Sequence, residues 1–153
     1  MKWNALSALR GLFSKYTPST RGASRKKAPW RWWTRKRLPL GARGELAARK
    51  HLRSLGHRIL DTNYTHKLGE LDIISERQGN IVFTEVKART AIEGFRPADN
   101  LGPAKIRKLR RIAEVYLKHR ALTGRQVQFD VIELVYPADG RGKPKIEHFE
   151  RAF

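Results

Sequence analysis

Two carboxylates and one ammonium group are spaced so that they could hold a cation and promote attack on a phosphodiester. Glu85 and Lys87 close the apolar run from Ile81 to Lys87, and Asp72 ends another apolar segment thirteen positions before Glu85. Side chains two residues apart on a strand project from the same face, so Glu85 and Lys87 would share one. A hairpin would bring Asp72 beside Glu85, with Lys87 next to them. Such a cluster predicts a nuclease.

The oxygen-rich part of this cluster predicts magnesium or manganese as the bound ion. Mg²⁺ prefers oxygen ligands and is usually held by one or two carboxylates, waters and substrate phosphates. Asp72 and Glu85 supply the carboxylates, and the main-chain carbonyl of Val86 is a third candidate ligand. Lys87 could orient the attacking water or offset developing negative charge. An alternative remains open, because acidic and basic residues that alternate on an exposed strand often form cross-strand ion pairs.

Hydrophobic periodicity predicts the elements that would position these residues. Pro103 can occupy the first turn of a strongly basic helix, whose apolar stripe runs from Ile106 to Leu117. A loop is expected from Thr65 to Gly69 and a longer one from Arg89 to Gly102. Helices are predicted at 41–56 and about 103–121, and strands at 58–64, 70–75, 81–88, about 127–135 and 145–149. The order α-β-β-β-α-β-β predicts an α/β fold, a central mixed sheet flanked by helices.

Glu45 lies near the start of the first predicted helix, and two interpretations of it are equally open. A carboxylate in a first helical turn is favoured by the helix dipole, which is a purely structural role. The other interpretation is a third carboxylate at the metal site. Gly56 is the expected stop signal of this helix. Glu70 could be a solvated acid in a turn or lie near the metal.

The net charge of +19 favours a polyanionic partner through counterion release. Residues 1–40 hold eleven Lys/Arg and no acid, and residues 41–153 hold 22 Lys/Arg against 14 Asp/Glu, a net +8. The sequence therefore predicts a basic, disordered arm over 1–40 and a single domain over 41–153. The arm interleaves tryptophans with cations between Arg25 and Arg37, which fits contact with nucleic acid or an anionic membrane. A solvated tail is the competing interpretation. On charge alone, nucleic-acid binding without catalysis is the more common function.

Several other classes of protein are excluded or disfavoured. The chain has no cysteine, so disulfides, thiolate zinc sites and cysteine nucleophiles are ruled out, which is compatible with a reducing cytoplasm. No run of about 18 apolar residues is present to span a membrane. His51 and His119 are expected on basic helices facing solvent, and the histidines lack zinc-ligand spacing. No nucleotide-binding or Ser-His-Asp motif is present, so no small-molecule cofactor is expected.

Beyond the metal motif, residues in the same order along 41–153 carry a family resemblance. They are Gly44-Glu45-x-x-Ala48, Gly56-x-x-Ile59-Leu60-x-x-Asn63, Gly69-Glu70-Leu71-Asp72-Ile73-Ile74, Val82-Phe83-x-Glu85-Val86-Lys87-x-Arg89, Lys105, Ala113-x-x-Tyr116-Leu117 and Ala152-Phe153. Together they resemble the YraN-type (UPF0102) family of small bacterial proteins. That family is similar to the PD-(D/E)xK restriction-endonuclease-like superfamily, particularly to archaeal Holliday-junction resolvases.

The resemblance implies a magnesium-dependent endonuclease acting on DNA, with branched DNA as the expected substrate and a homodimer as the expected assembly. Its catalytic set would be Glu45, Asp72, Glu85 and Lys87, the three acids being metal ligands. The residues expected to contact nucleic acid are Lys105, Lys108, Arg89, Lys67 and Arg43.

The chain departs from the family pattern at two positions. Leu71 replaces the proline before the strand aspartate, and Thr65 stands where relatives often carry arginine. The second change predicts one basic contact fewer near the site. The basic arm is also atypical of the family.

Overall fold

A computed structural model describes residues 37–91 and 101–153 of the chain. Within these ranges the elements are α1 (Leu40–Ser54), β1 (Arg58–His66), β2 (Gly69–Arg77), β3 (Asn80–Thr90), α2 (Pro103–His119), β4 (Val127–Tyr136) and β5 (Lys145–Phe149). The predicted α/β class and element order are confirmed. Most of the arm predicted for residues 1–40 lies outside the described residues, so the proposed division into arm and domain stays a prediction.

The five strands form one mixed sheet in the order β1-β2-β3-β4-β5. Every neighbouring pair is antiparallel except β3 and β4, which run parallel from Ile81 opposite Val127 to Thr90 opposite Tyr136. Parallel neighbours need a long crossover, and α2 lies in the connection between these two strands. Antiparallel β2 and β3 form the hairpin that the sequence predicts, with its turn at Gln78 and Gly79.

The two helices pack on opposite faces of the sheet. Ile73 belongs to the core cluster with Ala48 and Leu52 of α1, whereas Ile74 belongs to the cluster with Leu109 and Ile112 of α2. Consecutive strand residues point to opposite faces, so the two clusters are separated by the sheet. Burying each large apolar side chain stabilises the fold by about 1.5–3 kcal/mol, which fixes both helices against the strands.

The local sequence explains where the helices begin and end. Pro103 stands at the first position of α2, as predicted, since its missing N–H has no acceptor there. α1 ends where Gly56 adopts a left-handed φ of +83°, which also agrees with the sequence. None of the helices in the described residues is long and apolar enough to cross a membrane.

Two details of the predicted elements are wrong. β1 continues through Thr65 and His66, which the sequence placed in a loop, because both residues pair with the first residues of β2. β3 likewise extends to Thr90, because it keeps pairing with β4 past Ala88. Residues 92–100, most of the predicted long loop, lie outside the described ranges.

Candidate active site

The site begins where β2 and β3 separate. Their main-chain pairing runs from Arg77 opposite Asn80 to Ile73 opposite Thr84. At the next position the Asp72 carboxylate replaces a main-chain acceptor, with its Oδ2 accepting a hydrogen bond from the Val86 N–H at 2.7 Å. β2 continues beside β1 as far as Gly69, and β3 continues beside β4. Asp72 therefore lies at the point where the two strands separate.

An irregularity in β1 lies opposite Asp72. The pairing passes from Thr62 opposite Ile73 to Tyr64 opposite Leu71, with Asn63 between them in a left-handed conformation at φ 54°. Asparagine tolerates this region better than most residues. Leu71 and Ile74 both pack in the α2-side cluster although they are three residues apart, so the strict alternation of β2 breaks at this position. The break accounts for an Asp72 side chain that reaches sideways toward β3.

The Asp72 carboxyl is unusually hard to ionise. The pKa of Asp72 is raised from 3.8 to about 6; burial is the largest cause, the charges of Glu85 and Glu45 act in the same direction, and the Val86 hydrogen bond and the Lys105 charge oppose them. Carboxylates that repel one another in a partly buried site are relieved by a cation. Asp72 therefore lies close enough to Glu85 and Glu45 for their charges to act on it.

Glu85 is held by an ion pair. Its Oε1 lies 3.1 Å from the Nζ of Lys105, the third residue of α2. The Glu85 side chain is only 12% exposed, whereas that of Lys105 is 46% exposed. Lys105, which the sequence assigns to a substrate phosphate, is thus bound to a predicted metal ligand.

α1 packs tightly on β3, and Glu45 lies near enough to Asp72 for its charge to raise the pKa of that carboxyl. A Cβ built on the neighbouring Gly44 would overlap the Cβ of Ala88 and lie 3.7 Å from Cγ1 of Val86, so only glycine fits. Since α1 begins at Leu40, its first turn holds no acidic residue and Glu45 lies in the second turn. The helix-dipole interpretation of Glu45 is wrong, because the dipole acts within the first turn.

Lys87 completes the predicted catalytic set on β3, where it is half-buried and paired in register with Glu133 of β4. In the described part of the chain, no three His, Cys, Asp or Glu side chains are grouped as ready metal ligands. The assignment of Glu45, Asp72, Glu85 and the Val86 carbonyl to a metal stays a prediction. The donors nevertheless suit Mg²⁺ or Mn²⁺, since all are hard oxygens and Asp72 is repelled by both other acids.

The predicted nucleic-acid contacts divide between two regions. Lys108 lies over the start of β2, with its Nζ 2.9 Å from where a Cβ on Gly69 would stand. Lys67 is exposed in the turn just before it. Arg43 instead lies on α1 with its guanidinium 4.2 Å from the centre of the Tyr136 ring. Arg89 lies on β3, close enough to Glu147 to lower the pKa of that carboxyl, though less than Lys145 does.

α2 adds two cations that the sequence placed on a basic helix but did not assign to nucleic acid. Arg107 and Arg111 are exposed and line a cavity of about 230 Å³ with Leu68, Ala104 and Lys108. Their spacing of four residues on a helix was the signal that could have identified this surface.

The histidines form contacts that the sequence did not indicate. Asp130 is fully buried and accepts a hydrogen bond from His148 Nε2 at 2.9 Å, while the other ring nitrogen of His148 lies 3.3 Å from His51 Nε2. The expectation that His51 faces solvent is wrong, because β5 brings His148 against α1. His119 is exposed, as predicted.

Comparisons with known proteins identify relatives over most of the chain. Residues 44–134, which include all four predicted catalytic residues, match the model of the uncharacterised protein family UPF0102. A UPF0102 protein of Pelotomaculum thermopropionicum is 41% identical over 114 residues, 74% of this chain and 94% of its own length. Similar proteins from Syntrophotalea carbinolica and a Mycobacterium species are 40% and 42% identical, over 78% and 75% of this chain and 95% and 85% of theirs. Their names state no activity.

Proposed function

The chain belongs to the uncharacterised protein family UPF0102, whose name states no chemistry. From the residues of its site we propose that the protein is a divalent-metal-dependent DNA endonuclease. One observation carries this proposal. Asp72, at the point where β2 and β3 separate, is partly buried and repelled by Glu85 and Glu45, which raises its pKa to about 6. A carboxyl whose pKa is shifted by burial and by charged neighbours is a candidate functional group.

The chain's own residues can be assigned roles in hydrolysis. Asp72, Glu85 and Glu45, with the Val86 carbonyl, would hold the metal, and Asp72 is kept in place by the Val86 N–H. A divalent ion bound there would lower the pKa of a bound water and stabilise negative charge on the phosphate. Lys87, two residues beyond Glu85 on the same strand, would orient the attacking water or neutralise the phosphate oxygens.

The basic surface of α2 supports DNA as the substrate. Lys108, Arg107 and Arg111 are exposed on α2, which also carries Lys105 at the carboxylates. A phosphate backbone bound along this surface would reach the carboxylates. Contacts between these cations and phosphates do not depend on the base sequence, so the protein would recognise the backbone and the shape of the DNA. Branched, junction-like DNA is therefore the first substrate to test. A homodimer is the first assembly to test.

A second candidate is a nucleic-acid-binding protein that keeps the fold without catalysis. The Lys105–Glu85 ion pair favours it, because a carboxylate neutralised by lysine can be purely structural. This function predicts salt-dependent DNA binding that is unchanged when the acids are replaced.

Calorimetry with Mg²⁺ or Mn²⁺ on wild type and Asp72→Ala separates the two functions. The endonuclease predicts a binding event in wild type that the variant loses, while both proteins bind junction DNA in EDTA. A matched control is Asp139→Ala, since Asp139 lies in an exposed turn between β4 and β5. If wild type shows no metal-binding event, or if Asp72→Ala retains it, the endonuclease assignment fails and the binding function remains.

A further inference from the structure

The Lys105 ammonium lies beside the carboxylates that are predicted to bind a metal ion. Its ammonium lies 3.1 Å from Glu85 Oε1. The same charge lowers the pKa of Asp72, against the burial and the two acids that raise it. One side chain therefore supplies positive charge to two of the predicted metal ligands at once.

Lys105 and a metal ion cannot both hold Glu85 in this way. A magnesium ion binds a carboxylate oxygen at about 2.0–2.1 Å, so an ion and an ammonium on the same oxygen would lie no more than about 5 Å apart. Two positive charges that close repel strongly in a partly buried site. A metal ion that binds this oxygen would therefore displace the ammonium from it.

The fold allows Lys105 to move while α2 stays fixed. Leu109 and Ile112 anchor the helix in the core, and the Lys105 side chain is half-exposed on a flexible four-carbon stem. After displacement the ammonium would remain beside the site, one helical turn from Lys108. That is where a substrate phosphate approaching along α2 would arrive.

We propose that Lys105 is a displaceable counter-ion: it neutralises Glu85 in the metal-free protein and is released by the metal to bind a substrate phosphate. This inference rests on the proposed endonuclease function and adds to it a coupling between metal and DNA binding. Metal binding should strengthen DNA binding through a lysine that is otherwise engaged, and DNA should in turn strengthen metal binding by the same factor.

The first test is Mn²⁺ calorimetry on Lys105→Met, which removes the ammonium but keeps an unbranched side chain. The variant should bind the ion about 1.4- to fivefold more tightly, the range expected when the ion pair that is removed is partly exposed. Lys118→Met removes the same charge from the exposed far end of α2 and should leave the affinity unchanged. Equal or weaker binding by Lys105→Met overturns the proposal while wild-type binding upholds the metal site. If neither protein binds the ion, the endonuclease assignment and this inference fail together.

The second test follows DNA affinity against salt in a Lys87→Ala background, so that the DNA stays intact. With Mg²⁺ present, adding Lys105→Met should reduce the slope of log affinity against log salt by about 1, the value of one phosphate contact. In EDTA the slope should not change. An equal reduction in both conditions would make Lys105 an ordinary phosphate contact and overturn the exchange.

Discussion

Asp72→Asn should make the protein more stable at neutral pH. The substitution removes the negative charge that burial and the neighbouring acids disfavour. The asparagine carbonyl can still accept the Val86 N–H, which now donates at 2.7 Å to Asp72 Oδ2. The variant therefore escapes the electrostatic penalty and keeps the hydrogen bond. Residues that are needed for function often lower the stability of the folded protein, and replacing them can raise it.

The size and the pH window follow from the pKa. Asp72 shifts upward from 3.8 to about 6. At about 1.4 kcal/mol per unit, the wild type carries a penalty of up to about 3 kcal/mol above pH 6. Between about pH 4 and pH 6 the folded chain binds a proton that the unfolded chain has released, so wild-type stability falls as the pH rises through this window. Below about pH 4 both states are protonated and the penalty disappears.

Urea unfolding at pH 8 and pH 4 measures the effect. Asp72→Asn should exceed wild type by about 1–3 kcal/mol at pH 8 and by much less at pH 4. Mg²⁺ should stabilise wild type and leave the variant unchanged, because only the wild type would bind it.

Asp130→Asn is the matched control with the opposite sign. Burial alone would raise the pKa of Asp130, yet hydrogen bonds from His148, Gln128 and the Arg151 N–H bring it below its usual value. Its ionised form contributes stability above about pH 4, which is lost as the pH falls, so this variant should be destabilised at pH 8. If Asp72→Asn is instead destabilised at pH 8, or its advantage is the same at pH 4, the explanation by a strained carboxylate is refuted.

Two further predictions concern the elements around the site. Gly44→Ala should lower stability by about 1–3 kcal/mol through overpacking against Ala88, while Gly41→Ala, with nothing within 4 Å of its Cβ, should not destabilise. Thermal unfolding checks this pair, and equal effects would contradict the close approach of α1 to β3. Replacing the exposed α2 cations by glutamine should lower the salt slope of DNA binding by about 0.9 for each phosphate that the variant no longer neutralises. The cations are Arg107, Lys108 and Arg111, and the slope is measured by fluorescence anisotropy. An unchanged slope would show that DNA does not bind this surface of α2.

The elements were predictable because their signals are local. The α2 stripe and Pro103 define a helix within a few turns, and the β2–β3 hairpin follows from two apolar segments joined by a turn. Once the hairpin was inferred, the approach of Asp72 to Glu85 followed from its register. The sequence left the role of Glu45 open, and the family resemblance favoured the metal site; its nearness to Asp72 depends on how α1 packs on the sheet.

The details of the site were not predictable, because they depend on contacts distant in sequence. Lys105 meets Glu85 across a connection of about twenty residues, and only the placement of α2 brings them together. The left-handed conformation of Asn63, opposite Asp72, could not be predicted from the local sequence, because asparagine is also common in ordinary turns. The His148–Asp130 hydrogen bond likewise needs β5 beside β4.

Cleavage of junction and linear DNA in Mg²⁺ tests the endonuclease function most directly. Wild type and Asp72→Asn are compared under single-turnover conditions at pH 8, where both are folded. We predict that wild type nicks the DNA only when Mg²⁺ is present and that Asp72→Asn, although more stable, does not. Cleavage by Asp72→Asn at the wild-type rate, or no cleavage of either DNA by wild type, would contradict this function.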